Sequence, residues 1–176
     1  MRRSWGLRVL AALAVIGLTV TVASADEGTT TFAASLSGFN ELSPTSPILT
    51  DGTGTFHATV RGSSLTYTET FAHLTSPALQ SHIHFAERNV NGGIFLFLCS
   101  NLGNGPAGTP ACPAGGGTVT RTVTAADFVA VPSQNVPGGS LTAALRIMRS
   151  GDAYANVHSM NFPAGEIRGQ IHGGDD

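Results

Sequence analysis

The chain has no lysine, and all nine of its basic residues are arginine. Only 11% of its 176 residues are charged, and the formal net charge is −2. A chain this poor in basic side chains has no patch to neutralise phosphates, which argues against nucleic acid or an anionic membrane surface as its partner. No apolar tail closes the sequence, and no cysteine follows the small-residue segment near the start where a lipid anchor would need one. The glycine runs Gly115-Gly116-Gly117 and Gly138-Gly139 lack a following Lys-Ser/Thr and sit in no βαβ unit, so they read as turns rather than phosphate loops. No nucleophile elbow frames a serine, which argues against triad hydrolysis. There are only two cysteines, Cys99 and Cys112.

What is present at the start is a leader. Arg2, Arg3 and Arg8 precede the apolar stretch Val9 to Val22, and Ala23-Ser24-Ala25 has the small-residue pattern of a cleavage site. This predicts a signal peptide over residues 1–25 and a single mature domain over 26–176, long enough for a substantial core. Losing the three leader arginines takes the formal charge from −2 to −5. The expected product is secreted and unanchored, and periplasmic if the source has an outer membrane. In that oxidising setting Cys99 and Cys112 are expected to pair, two buried free thiols being the alternative. Closing the Gly-, Pro- and Ala-rich loop between them stabilises by about 3 kcal/mol in the chain-entropy model.

Period-2 alternation dominates the mature chain. Phe32, Ala34 and Leu36 mark a first strand ending at Gly38. Pro44 and Pro47 keep residues 40–51 out of any central strand. Phe56, Ala58 and Val60 form a second strand, Arg61-Gly62-Ser63-Ser64 a turn, and Leu65, Tyr67 and Phe71 a third. Glu69 falls on the apolar face of that third strand. Either a bulge re-phases it there, or the carboxyl has a buried partner such as an arginine. Thr124 to Asp127 has capping-box spacing. Leu141, Ala144, Leu145 and Met148 follow a helical period, with Ser140 as N-cap and Gly151 as terminator, which predicts one short helix over about 140–149. Two last strands follow, over 153–158 and 166–172. The whole is all-β: an antiparallel β-sandwich or a small Greek-key barrel with one short helix.

The segment Ser81-His82-Ile83-His84-Phe85 carries the chemistry. In an extended strand His82 and His84 share one face while Ile83 and Phe85 take the other. Tyr154-Ala155-Asn156-Val157-His158 has the same phase, with Ala155 and Val157 inward and Asn156 and His158 outward. Three imidazoles on the outer face of paired strands suit a first-row metal, copper or zinc, and leave a coordination position open. Asn156, Glu166 and Arg168 lie where they would support those ligands. His57, His73 and His172 are further candidate ligands. The competing reading is a polar network in which the histidines only lock strands together. A site of neutral imidazoles would release metal as the pH falls below about 6.

With those residues in view the sequence resembles the CHRD domain, the module named for its repeats in chordin. The resemblance is carried by Leu36-Ser37-Gly38 with Asn40-Glu41, by Ser81 to His84 with Asn91-Gly92-Gly93, and by Phe97-Leu98-Cys99. It continues through Thr124 to Asp127, Tyr154 to His158, and the long motif Phe162 to Ile171. Ser159 stands where the family usually has threonine, and Glu69 where an apolar residue is usual. The resemblance implies an extracellular all-β module without an established catalytic activity. Three functions follow as expectations: a non-enzymatic binding module for a metal ion or an extracellular protein, a copper/zinc metalloenzyme with superoxide-dismutase-like redox chemistry, or a purely structural adhesion domain.

Overall fold

The computed structural model describes Met1, residues 29–42 and residues 47–174. The expected leader, apart from Met1, and Pro44 lie outside the described residues. Among the described residues there are nine strands: β1 (Thr30–Ser37), β2 (Thr53–Arg61), β3 (Ser64–Ala72), β4 (Ala78–Phe85), β5 (Gly93–Ser100), β6 (Gly117–Thr124), β7 (Ala153–Ser159), β8 (Ile167–Gln170) and β9 (His172–Gly174). One helix, α1 (Leu141–Arg149), precedes β7. All strand pairings are antiparallel, in the order β5-β4-β7-β8-β1-β2-β3-β6, with β9 also on β1. The end strands β5 and β6 approach one another, so the sheet is a nearly closed barrel. Of the two architectures expected, the barrel is the one formed.

Alternation does the folding here. Phe32, Leu36, Phe56, Leu65, Tyr67, Phe71, Ile83, Leu96, Leu98, Val157 and Ile167 come from seven strands and are all almost wholly buried. Helix α1 behaves as its period indicates. Ser140 Oγ accepts a hydrogen bond from the Ala143 N–H at 3.2 Å, and Gly151 leaves the helix with φ of +80°. Its face of Ala144, Leu145, Ile147 and Met148 packs onto the core. The Thr124 N–H donates to Asp127 Oδ2 at 2.8 Å, as the capping spacing predicts, although the turn it opens is a 3₁₀ turn over Ala125–Asp127.

Two expectations change. The strand expected over 166–172 is interrupted. Glu166 precedes β8, and Ile171 separates β8 from β9 by turning its N–H to the Ala153 carbonyl. Both halves still pair with β1, β8 at Ser37 and β9 from Thr31 to Ala33.

The third strand has no bulge at Glu69. Its register with β2 and β6 is unbroken, Glu69 standing opposite Phe56 and Val119. The carboxyl is inside the barrel, fully buried, and its partner is a serine, not an arginine: Ser81 Oγ lies 2.7 Å from Glu69 Oε1. Desolvation raises the Glu69 pKa to about 8, so the group is a neutral acid at pH 7. Ser81 Oγ, which donates to Glu69 Oε1, also lies 3.0 Å from the Asn156 carbonyl, so its one proton is shared between two acceptors.

Candidate metal centre

Strands β4 and β7 build the centre. Ile83 pairs with Ala155 across the ladder, and both point into the core with no exposure. Because side chains alternate, this inward set forces His82, His84, Tyr154, Asn156 and His158 to the other side of the wall. In register Gln80 stands opposite His158, His82 opposite Asn156, and His84 opposite Tyr154. The three imidazoles therefore meet diagonally. His82 and His158 have ring centroids 5.0 Å apart, His82 and His84 5.5 Å. One nitrogen from each ring can be chosen so that all three lie within 4.8 Å of one another.

The side of the wall is the expected one; the exposure is not. The rings do not face solvent, since His82 is 0%, His84 8% and His158 7% exposed. The covers are identifiable. Phe97 of β5 stands edge-on to His82 at 4.6 Å. The Tyr154 ring stacks on His84 at 4.6 Å with an interplanar angle of 1°, and the Arg168 guanidinium lies 3.4 Å above the Tyr154 ring centroid. Pro163, in the β7–β8 loop, contributes a carbonyl 3.0 Å from His158 Nδ1. Gly92, in the β4–β5 hairpin, contributes one 2.9 Å from His84 Nδ1. A side chain at Gly92 would collide with the Phe85 carbonyl, so only glycine lets the hairpin fold this tightly against the site.

These carbonyls decide the tautomers. A carbonyl oxygen only accepts, so the neutral rings of His84 and His158 carry their proton on Nδ1 and a lone pair on Nε2. His82 Nδ1 lies 3.2 Å from His158 Nε2 and donates to it, leaving a lone pair on His82 Nε2. The Nε2 atoms of His82 and His84 are buried and have no hydrogen-bond partner. Such orphans cost roughly 1–3 kcal/mol each when nothing occupies them. Desolvation, reinforced by neighbouring rings, lowers the pKa of His82 to about 2, and desolvation lowers those of His84 and His158 to about 4. The rings are neutral and ready to donate a lone pair, the state a metal ligand requires.

Among the described residues, Asn156, Glu166 and Arg168 make their hydrogen bonds to groups other than the rings. Asn156 Nδ2 donates to Glu41 Oε2, tying β7 to the segment after β1. Arg168 donates to the Val90 carbonyl at 2.7 Å and to Asn91 Oδ1 at 3.0 Å, strapping the β4–β5 hairpin over the rings. Glu166 lies just before β8, in the β7–β8 loop. It accepts from the Thr75 N–H at 2.8 Å, the Thr75 hydroxyl at 3.1 Å and the Thr50 hydroxyl at 2.7 Å, joining three loops at one end of the barrel. His57, His73 and His172 are exposed and are not part of the cluster. Tyr154, Phe97 and the Gly92 and Pro163 carbonyls escaped the sequence reading. The register of β7 on β4 would have found Tyr154, since its position opposite His84 follows from one correct pairing.

Cys99 and Cys112 are joined, with an S–S distance of 2.06 Å. The bond pins the long β5–β6 loop to a buried position of β5 beside Ser81.

The molecule is thus an all-β barrel carrying a shielded histidine cluster on the outside of its wall. Residues 32–171 match the family model of the CHRD domain, and the chain belongs to that family of extracellular modules. Searches of curated proteins and of solved structures returned no match. No helix among the described residues is long and apolar enough to cross a membrane.

Proposed function

We propose that this chain is a secreted, non-enzymatic binding module that holds one transition-metal ion, copper or zinc, at His82, His84 and His158. The observation that carries the reading is the pair of buried, unpartnered Nε2 atoms beside a third ring. Shielding of the rings from solvent favours holding an ion over turning over a substrate, which needs an accessible position on the metal.

The competing reading is a purely structural cross-link, supported by the hydrogen bonds of His84 to Gly92, His158 to Pro163 and His82 to His158. One measurement separates the two. The mature chain, purified without a histidine tag, is loaded with copper or zinc, dialysed and assayed for bound metal beside His82→Ala and His158→Ala. One ion per native chain, lost in both variants, supports the metal reading; a native chain that retains none leaves the cross-link. Dismutase activity of a copper-loaded form would move the module into the enzyme class.

A further inference from the structure

We infer that the ion this site selects is monovalent copper, Cu(I), in preference to Zn(II) or Cu(II). The inference rests on the metal reading above and adds the identity and charge of the ion.

The donor set is uncharged. The cluster consists of three imidazoles, with no carboxylate or thiolate among the described residues within reach of the same point. Beyond the rings lie Arg168, which sits over Tyr154 with Arg88 close enough to act on it, and Glu41, engaged by the Asn156 amide and by the Leu42 N–H at 2.8 Å. One carboxylate beside two guanidiniums supplies no net negative potential to a bound cation. Desolvation cost grows with the square of the charge, so a dication at this point pays about four times what a monocation pays. Closed structural zinc sites offset that cost with thiolates, and this one has none.

Coordination number points the same way. Zn(II) in structural sites takes four ligands, and Cu(II) favours a tetragonal arrangement of nitrogen and oxygen donors. No fourth His, Cys, Asp or Glu joins the group among the described residues, and His57, His73 and His172 are exposed elsewhere. Water is screened from His82 Nε2 and His84 Nε2, so it does not readily complete the shell. Cu(I), a closed-shell ion with no ligand-field preference, is satisfied by two or three imidazoles. Nitrogens at about 2.0 Å from a trigonal ion stand about 3.5 Å apart, and from a linear one about 4 Å. One nitrogen from each ring lies within 4.8 Å of the other two.

The test ranks ions on the native mature chain. Under nitrogen with ascorbate, Cu(I) is titrated in competition with a chromophoric Cu(I) chelator. Zn(II), and Cu(II) without reductant, are titrated in competition with chelators of their own. One Cu(I) per chain, held at least about 100-fold more tightly than Zn(II), is the expected result for a shielded, uncharged three-nitrogen site. X-ray absorption of the Cu(I) form should show two or three nitrogen neighbours and no fourth. In a thermal scan Cu(I) should raise the unfolding midpoint of the native chain and of His57→Ala, but not of His84→Asn or His158→Asn; a folded baseline in each variant shows that the fold survives. Zn(II) or Cu(II) bound as tightly as Cu(I) overturns the inference and leaves the metal reading standing. A native chain that binds none of the three overturns both.

Discussion

His82 Nδ1 lies 3.2 Å from His158 Nε2, although the two residues are 76 positions apart and are not opposite one another in the ladder. Gln80 faces His158 and Asn156 faces His82, so the two rings reach each other diagonally across β4 and β7. In the metal-free chain this contact is the only partner that His82 has for a ring nitrogen among the described residues. Replacing His158 by alanine removes it and leaves the His82 N–H buried and unsatisfied. The expected loss of stability is about 2–4 kcal/mol, combining the orphaned donor with the cavity left by the ring. Urea unfolding of metal-free His158→Ala beside the native chain measures it; an unchanged midpoint would mean that the contact holds nothing.

The stability of the metal-free chain should peak near pH 6.5. The three histidines have folded pKa values below their unfolded 6.5, so their contribution is present above pH 6.5 and is lost as the pH falls toward 4. Glu69 acts in the opposite sense. Its folded pKa is raised from 4.5 to about 8, so its contribution is full below pH 4.5 and is lost as the pH rises to 8. Between 4.5 and 6.5 the three histidines outweigh the one acid. Between 6.5 and 8 Glu69 acts alone, with a slope of about 1.4 kcal/mol per pH unit. Denaturation midpoints across pH 4 to 9 should show this peak, and Glu69→Gln should flatten its alkaline side. The same lowered histidine pKa values move the expected pH of metal release from about 6 down toward 4.

Arg168 should control how fast an ion enters and leaves. It lies over Tyr154, which stacks on His84, and it ties down Val90 and Asn91 of the covering hairpin. Arg168→Ala removes the strap without touching a ligand. Metal release to a chelator in a stopped-flow instrument should speed up by about tenfold or more, the equivalent of one lost charged hydrogen bond. Arg168→Lys, which keeps the charge but loses the planar fork, should rescue only part of the effect. Equal release rates in all three proteins would show that the hairpin does not gate the site.

Glu166 separates stability from metal binding. Its carboxyl joins Thr50 and Thr75 and, among the described residues, hydrogen-bonds to no histidine. Glu166→Gln should lower stability by about 1–3 kcal/mol, because an amide nitrogen cannot accept from those donors. Metal stoichiometry and affinity should stay at native values, measured by the same competition titration. A large fall in affinity would restore Glu166 to the supporting role that its position in the sequence suggests.

The alternation in the sequence determined most of the barrel. Phe56, Ala58 and Val60, or Ile83 against His82 and His84, can point their apolar members inward in only one phase, and that phase follows from period 2 alone. The helix was equally legible, since Ser140, the Leu141-to-Met148 spacing and Gly151 are local signals. The sequence also put His82, His84 and His158 on the outer side of the wall, because phase fixes side as well as burial of the inward neighbour.

Which strands are neighbours, and what lies over them, depended on tertiary structure. The diagonal contact of His158 with His82 needs the register of β7 on β4, a long-range pairing that no local pattern encodes. The covers come from Tyr154, Phe97, the Gly92 hairpin and the Pro163 loop, which turn an outward face into a buried one. Burial then sets the protonation states, making the imidazoles neutral donors. The same dry interior makes Glu69 a neutral acid whose partner is Ser81, where the sequence offered a bulge or a buried partner such as an arginine.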